Sequence, residues 1–433
     1  MTASLSFSEI IRNRIMTGGL DHDEVHMTTP ELIRLHGYPA EVHHTWTEDG
    51  YRLEMHRVPR PLSERIPITT TETQYPSSPE QQPETNVNDP PTVGIEELTT
   101  LQPKDRPPVL ILHGLLSSSA DFVLLGPQKA LAYALCDSGY DVWLGNSRGN
   151  TYSQVHKEYT VKDRRFWDFS WNEMGYYDLP SMIDYILETT GHTSLYYVGY
   201  SQGTTIFYVM ASERPEYNAK VRAMISLAPI AFLSNHRSPL LKCVVHLYTL
   251  MEWGSAYCNI HQWFPRNKLQ ARALGTLIRN APGTLTQGVC TSWLYLIAGF
   301  GSNQLDSSML PLIFGHFPAG SSYKQIVHYG QNMKSVGYFR KFDYGKEENL
   351  KLYGSAVPPK YNLGKVKVPV TIFYSENDFM TDPRDVATLA EKLPNCIEKY
   401  KIPYPKFNHI DYLWGMDART LVYNYIIKIL KRS

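Results

Sequence analysis

Ser201 stands in Gly199-Tyr200-Ser201-Gln202-Gly203, after the β-type run Leu195-Tyr-Tyr-Val-Gly and before the helix-forming run Thr204-Thr-Ile-Phe-Tyr-Val-Met-Ala-Ser. Strand, G-x-S-x-G and helix in that order make a nucleophile elbow. The turn is tight enough to strain the serine backbone, so its neighbours must lack bulk; hence the flanking glycines. The strain lifts Oγ clear of the sheet. The helix that follows aims its first N–H groups at any oxyanion developing there. A serine hydroxyl needs a base to take its proton, and the base needs a third group to orient it. The chemistry this implies is nucleophilic acyl transfer.

Behind such an elbow the acid and then the histidine follow in chain order, on loops past the carboxyl ends of later strands. Downstream carboxylates are plentiful, so position must choose. Asp378, just past the strand-like run Thr371–Tyr374, is the expected orienting acid, with Glu376 as the fallback. Asp382 precedes Pro383 in a helix-start signature, and Asp385 falls in that helix's first turn; both have structural explanations. His409, in Phe407-Asn-His-Ile-Asp between the last strand and the last helix, is the expected base. Two backbone N–H groups should face the oxyanion. One is that of Gln202; the other comes from His113-Gly114-Leu115-Leu116, with Leu115 the expected donor because Gly114 lets the backbone approach closely.

The elements that must position these residues are legible along the chain. Residues 1–30 are polar and irregular. Residues 31–58 read as a short helix at Glu31–Leu35, then a hairpin, Glu41–Trp46 and Tyr51–Val58, turning at Glu48-Asp49-Gly50. From 59 to 108 the composition shifts to Pro, Thr, Ser, Glu and Gln, which predicts a disordered insertion. Val109–Leu112 is an apolar run of buried-strand type, followed by a helix near Gln128–Leu135 and a strand at Tyr140–Leu144. A helix at Tyr177–Thr190, the elbow and a strand at Ala223–Ala228 continue the alternation. Residues 231–345 break it, being aromatic and helical. The pattern returns in 346–433, with strands at Val368–Tyr374 and Ile397–Ile402 and helices at Pro383–Leu393 and Ala418–Lys431. This alternation predicts a mostly parallel sheet with crossover helices, an α/β-hydrolase fold split into 109–230 and 346–433 by a helical cap.

Composition bounds the function. The chain has 433 residues with 42 Lys+Arg against 42 Asp+Glu, so no basic surface points to nucleic acid. Its 30 Tyr and 8 Trp supply large amphipathic rings that suit apolar ligands. No apolar run approaches the ~20 residues that span a bilayer. The first dozen residues lack a basic stretch followed by an apolar one, so no signal peptide is expected in them, and no N-x-[ST] acceptor occurs. The five cysteines are spaced like no metal site, and the expected chemistry needs neither metal nor cofactor. Cys136 and Cys396 read as small apolar core residues.

Several long motifs recur in the order found in one family. His113-Gly-Leu-Leu, Gly145-Asn-Ser-Arg-Gly-Asn-Thr, Phe166-Trp-Asp-Phe-Ser-Trp-Asn-Glu-Met-Gly-Tyr-Tyr-Asp-Leu-Pro, Gly199-Tyr-Ser-Gln-Gly, His316-Phe-Pro-Ala-Gly-Ser and Phe407-Asn-His-Ile-Asp resemble the acid lipases of the gastric and lysosomal type, most of all insect members. Glu48-Asp-Gly-Tyr matches the N-terminal lipase region of that family. The resemblance runs from about residue 30 to the end, except for the Pro/Thr-rich insertion. It implies Ser201, Asp378 and His409 as a triad, Leu115 and Gln202 as the oxyanion hole, and neutral lipids (triacylglycerols or sterol esters) as substrates. It also implies a Cys258–Cys290 disulfide bracketing the cap helices, and a secreted or lysosomal address that the N-terminus as given does not supply. Tyr200 departs from the family's usual histidine at that place in the elbow.

Two further expectations concern the cap. Leu241, Val244, Leu247 and Leu250 keep one helix face apolar, and Trp253, Tyr257, Trp263, Phe264, Trp293, Leu294, Leu296 and Phe300 add rings and branched chains. Ordinary packing explains some of them. A mobile lid lining an acyl tunnel and opening at a lipid-droplet or membrane surface would explain the rest. The alternatives to a lipase are a carboxylesterase for short soluble esters and a non-catalytic lipid-binding protein on the same scaffold. Covalent labelling of Ser201 separates the last of these from the enzymes.

Overall fold

The computed structural model describes residues 24–62, 106–239, 241–243, 261–264 and 285–433. The predicted insertion falls mainly in 63–105, and Cys258 lies, with most of the cap's middle, outside the described residues; so does the side chain of Cys290. The Cys258–Cys290 pairing is therefore outside them as well. The described cysteines Cys136, Cys243 and Cys396 are free thiols. Cys136 is buried as expected, whereas Cys396 is only half-buried.

The main sheet runs β1 (Glu41–Trp46), β2 (Tyr51–Val58), β3 (Pro108–Leu112), β4 (Asp141–Gly145), β5 (Leu195–Tyr200), β6 (Val221–Leu227), β7 (Val370–Tyr374) and β8 (Cys396–Lys401). Its spatial order is β1-β2-β4-β3-β5-β6-β7-β8, with the two-residue strand Val155–His156 pairing β2 at the side. β1 and β2 pair antiparallel, as does β2 with β4. Every later neighbour is parallel. The hairpin, the buried apolar strands and the intervening helices each sit within a residue or a few of where periodicity puts them. The largest differences are at helix starts. The helix expected from Gln128 begins at Leu131, and those expected from Tyr177 and from Ala418 each open with a π-helical turn, at Met174–Asp178 and Arg419–Tyr423.

Alternation along the strands divides the core into two faces. Val109 and Ile111, Val142 and Leu144, Tyr196 and Val198, and Ala223 and Ile225 pack on one face, against helices at Leu131–Cys136, Leu310–His316 and the C-terminus. Leu110 and Leu112, Trp143, Tyr197 and Met224 pack on the other, against helices at Leu179–Thr190, Gln202–Glu213 and Pro383–Lys392. A sheet covered on both sides favours strands that are apolar at nearly every position; β3 and β4 are buried throughout, and the charged residue among them, Asp141, pairs with Arg57. Between β6 and β7 the described residues add no strand to this sheet. They include helices at Leu285–Ala298, Leu310–His316 and Tyr323–Lys334 and a short pairing of Gln262–Trp263 with Ser321–Ser322.

Candidate active site

The elbow is built by exclusion. Ser201 has φ +50° and ψ −115°, between the end of β5 and the first residue of the helix Gln202–Glu213. A Cβ on Gly199 would sit 2.9 Å from the backbone of Gly203 and Thr204, and one on Gly203 would sit 2.4 Å from the Leu112 carbonyl. Real side chains never come that close, so strand and helix cross only where both residues are glycine. The strained turn is fixed by hydrogen bonds: Ser201 N–H donates to the Leu227 carbonyl at 2.9 Å, and Thr204 Oγ1 donates to the Ser201 carbonyl at 2.6 Å.

His409 Nε2 lies 2.9 Å from Ser201 Oγ, and His409 Nδ1 lies 2.8 Å from Asp378 Oδ2. All three side chains are buried. Asp378 Oδ1 accepts the N–H groups of Met380 and Thr381, each at 2.8 Å, which leaves Oδ2 as the acceptor that faces the histidine. Nδ1 therefore carries the proton and Nε2 is free to accept one from Oγ. The fallback acid Glu376 instead pairs with Lys401 at 3.0 Å on the surface. Asp382 caps its helix, accepting from Arg384 N–H at 3.0 Å, as the Asp-Pro signature predicts. Asp385 does more than its first-turn position suggests: it accepts from the backbone and side-chain amides of Asn235, at 2.9 and 2.8 Å.

The loop after β3 packs directly on the elbow. A Cβ on Gly114 would lie 3.2 Å from Ser201 Cβ and 3.0 Å from the Tyr200 ring. Buried His113 shapes this loop. Its Nε2 receives the Ser147 N–H at 3.1 Å and the Asn150 amide at 3.2 Å, so Nδ1 must be the protonated nitrogen that donates to the Gly114 carbonyl at 2.8 Å. Burial lowers the His113 pKa to about 4, which keeps the ring neutral. Leu116 is held at φ +62°, and its carbonyl accepts from Ala319 N–H at 2.6 Å. Gln202, the other donor expected from the sequence, opens its helix, so its N–H has no intrahelical acceptor. Its side chain is tied back to Gln325 at 2.7 Å.

A cavity of about 310 Å³ opens over these groups, reached by Gly114, Leu115, Ser201 and His409 and otherwise lined mainly by apolar side chains, Ile230, Leu233, Ile326, Leu413 and Trp414 among them. Of the cap residues singled out in the sequence, Leu241, Phe264 and Leu294 line it. Leu296 and Phe300 are instead exposed, at 39% and 47%. Among the described residues no three His, Cys, Asp or Glu side chains converge as a metal site, and no helix is long and apolar enough to cross a membrane.

The same combination of parts recurs in known proteins. A family model for the α/β-hydrolase fold matches residues 107–266, and one described as a partial α/β-hydrolase lipase region matches residues 29–126. Lipase 3 of Drosophila melanogaster is 40% identical over 398 residues, covering 92% of this chain and 91% of that protein. Gastric triacylglycerol lipase of Bos taurus is 35% identical over 410 residues, covering 94% and 92%. The chain belongs to the acid lipase family. It is a lipase, a carboxylic ester hydrolase with the α/β-hydrolase fold.

Within this acid lipase, two motifs that the sequence offers without a role turn out to be buttresses. Asn146 and Asn150 of the Gly145-Asn-Ser-Arg-Gly-Asn run hold each other at 2.9 Å beneath His113. Arg148, buried, bonds Asp178 at 2.7 Å and Asp49 at 2.8 Å and lies 4.0 Å over the Tyr51 ring. It thereby joins the Glu48-Asp-Gly-Tyr hairpin to the Phe166–Pro180 motif. Burial raises Asp178 to about 6 despite Arg148, an expensive pairing that is stable only while complete. No local sequence pattern announces that three distant motifs share one guanidinium.

Proposed function

We infer that this lipase cleaves fatty-acyl esters of neutral lipids through an acyl-enzyme on Ser201. The observation that carries the reading is the relay Ser201 Oγ–His409 Nε2–Asp378 Oδ2, at 2.9 and 2.8 Å, opening into an apolar cavity. Ser201 Oγ attacks the ester carbonyl as His409 takes its proton. The oxyanion forms against the N–H groups of Leu115 and Gln202. His409 then protonates the leaving alkoxide, and the same histidine activates the water that releases the fatty acid and restores Ser201. Asp378 holds the imidazole in the required tautomer through its contact with Nδ1. Residues 231–345 serve as the cap over this site, and part of them opens at a lipid surface.

The apolar lining supports long acyl chains over short soluble esters, and the gastric triacylglycerol lipase among the relatives supports acylglycerols. Two assays test the reading. Ser201→Ala and His409→Ala should each lower kcat on any ester by ~10⁴-fold or more while leaving the protein folded. Against p-nitrophenyl esters of rising chain length, kcat/KM should climb from acetate to the long acyl chains. Wild-type turnover in Ser201→Ala would remove the triad, and a maximum at acetate would replace the lipid substrate with a small ester.

A further inference from the structure

The helix Leu285–Ala298 ends against both loops that carry the relay. The Ala298 carbonyl accepts two N–H groups, from Phe379 at 3.1 Å and from His409 at 3.3 Å. The next carbonyl, Gly299, accepts the Asn408 side-chain amide at 2.9 Å. The one after, Phe300, accepts the Asn377 side-chain amide at 2.9 Å, and that same amide donates to the Lys406 carbonyl at 2.8 Å. The last carbonyls of a helix lack intrahelical partners and commonly turn to water or to a capping residue. Here donors from the Asp378 loop and the His409 loop alternate along three successive carbonyls.

Gly299 makes this possible. Its φ is +126°, and a Cβ there would stand 2.0 Å from the Asn377 carbonyl and 3.2 Å from Asn408 Cβ. The turn runs on into Ser302, whose hydroxyl donates to Asp411 Oδ2 at 2.5 Å; that oxygen also accepts Asn408 N–H at 2.7 Å. Tyr404 hydroxyl closes on the Ser302 carbonyl at 2.7 Å. The acid and the base are rooted past different strands, β7 and β8, so their contact depends on how those two loops are held relative to each other. Displacements of about 1 Å in such an arrangement cost ~10²-fold in rate.

We propose that the turn Ala298-Gly299-Phe300 is a positioning element for hydrolysis: it sets the separation of the Asp378 and His409 loops, and Gly299 is the residue that admits the contact. The inference rests on the triad reading. It gives the cap a second task, because the helix that lines the cavity through Leu294 and Ile297 also fixes the relay beneath it.

Gly299→Ala and Asn377→Ala, made in the full chain, test it on a short soluble p-nitrophenyl ester, with active sites counted by a fluorophosphonate probe. The expected result is kcat per labelled site lower by ~10-fold or more in Gly299→Ala and by ~3-fold in Asn377→Ala, with KM unchanged. Probe labelling should slow by the same factors, since it uses the same Ser201–His409 contact. A turn that only anchored the cap would lower thermal stability and leave kcat per site untouched. Wild-type kcat and labelling rate in Asn377→Ala, or in a folded Gly299→Ala, would overturn the proposal; if Gly299→Ala does not fold, Asn377→Ala decides alone. Failure of the triad reading itself appears elsewhere, as full turnover in Ser201→Ala.

Discussion

The hydroxyl of Tyr200 donates to the backbone carbonyl of His409 at 2.9 Å. The residue just before Ser201 therefore tethers the loop that carries His409, and its ring lies 5.3 Å from the imidazole. Burial holds the phenol well above its ordinary pKa, so it remains a donor throughout the working range. Tyr200→Phe keeps the ring and removes the donor from a buried carbonyl, which costs about 1–3 kcal/mol. Denaturant unfolding should show that loss, and kcat should fall several-fold with little change in KM. A variant with wild-type stability and turnover would mean the tether is idle.

Two glycines make opposite predictions. Gly203→Ala forces a methyl to within 2.4 Å of the Leu112 carbonyl, where backbone meets backbone and nothing flexible gives way. It should destabilise by about 1–3 kcal/mol or more and abolish the elbow geometry. Gly288, by contrast, lies inside the helix Leu285–Ala298, and among the described residues nothing stands within 4 Å of where its Cβ would be. Gly288→Ala should gain about 0.5–1 kcal/mol from helix propensity. Melting curves of the two variants moving in the same direction would contradict this account of the glycines.

How much of this is legible beforehand depends on whether a feature is local. The elbow can be read from five residues because steric exclusion acts between Gly199, Ser201 and Gly203 themselves. Asp378 and His409 can be read because the fold places them at strand ends, and strand periodicity is a local signal. The Arg148 network, the Tyr200 tether and the carbonyls of Ala298–Phe300 cannot, since each joins segments tens to hundreds of residues apart through unremarkable residue types. Leu116 at φ +62° is likewise invisible, because leucine carries no preference for that conformation. The large apolar residues picked out between 241 and 300 have a similar ambiguity: Leu294 lines the cavity while Phe300, six residues on, faces solvent.

Stability should depend on pH through Asp411. Burial raises its carboxyl from the ordinary 3.8 to about 7, opposed by bonds from Ser302 and Asn408 and assisted by the charge of Asp378. A folded-state pKa above the unfolded one means the native protein keeps a proton that the unfolded chain releases. The associated stability is present below about pH 4 and is lost as pH rises toward 7. Asp411→Asn removes that dependence. Relative to wild type, the variant should gain stability between pH 4 and pH 8, by up to a few kcal/mol at about 1.4 kcal/mol per pH unit. Parallel pH–stability curves for the two proteins would show that Asp411 does not titrate in this window.

The proposed cap makes a kinetic prediction. If its cavity-facing side chains open toward a lipid surface, the rate on a sparingly soluble triacylglycerol should rise sharply once droplets form. A hyperbolic profile running smoothly through the solubility limit would favour an esterase with a fixed entrance.

The most direct measurement is where an active-site-directed electrophile attaches. Treated with a fluorophosphonate, the native protein should carry one adduct, on the peptide holding Gly199-Tyr200-Ser201-Gln202-Gly203, and Ser201→Ala should carry none and hydrolyse no ester. An adduct on another residue, or undiminished hydrolysis by Ser201→Ala, would contradict the assignment of Ser201, His409 and Asp378 as the reacting centre.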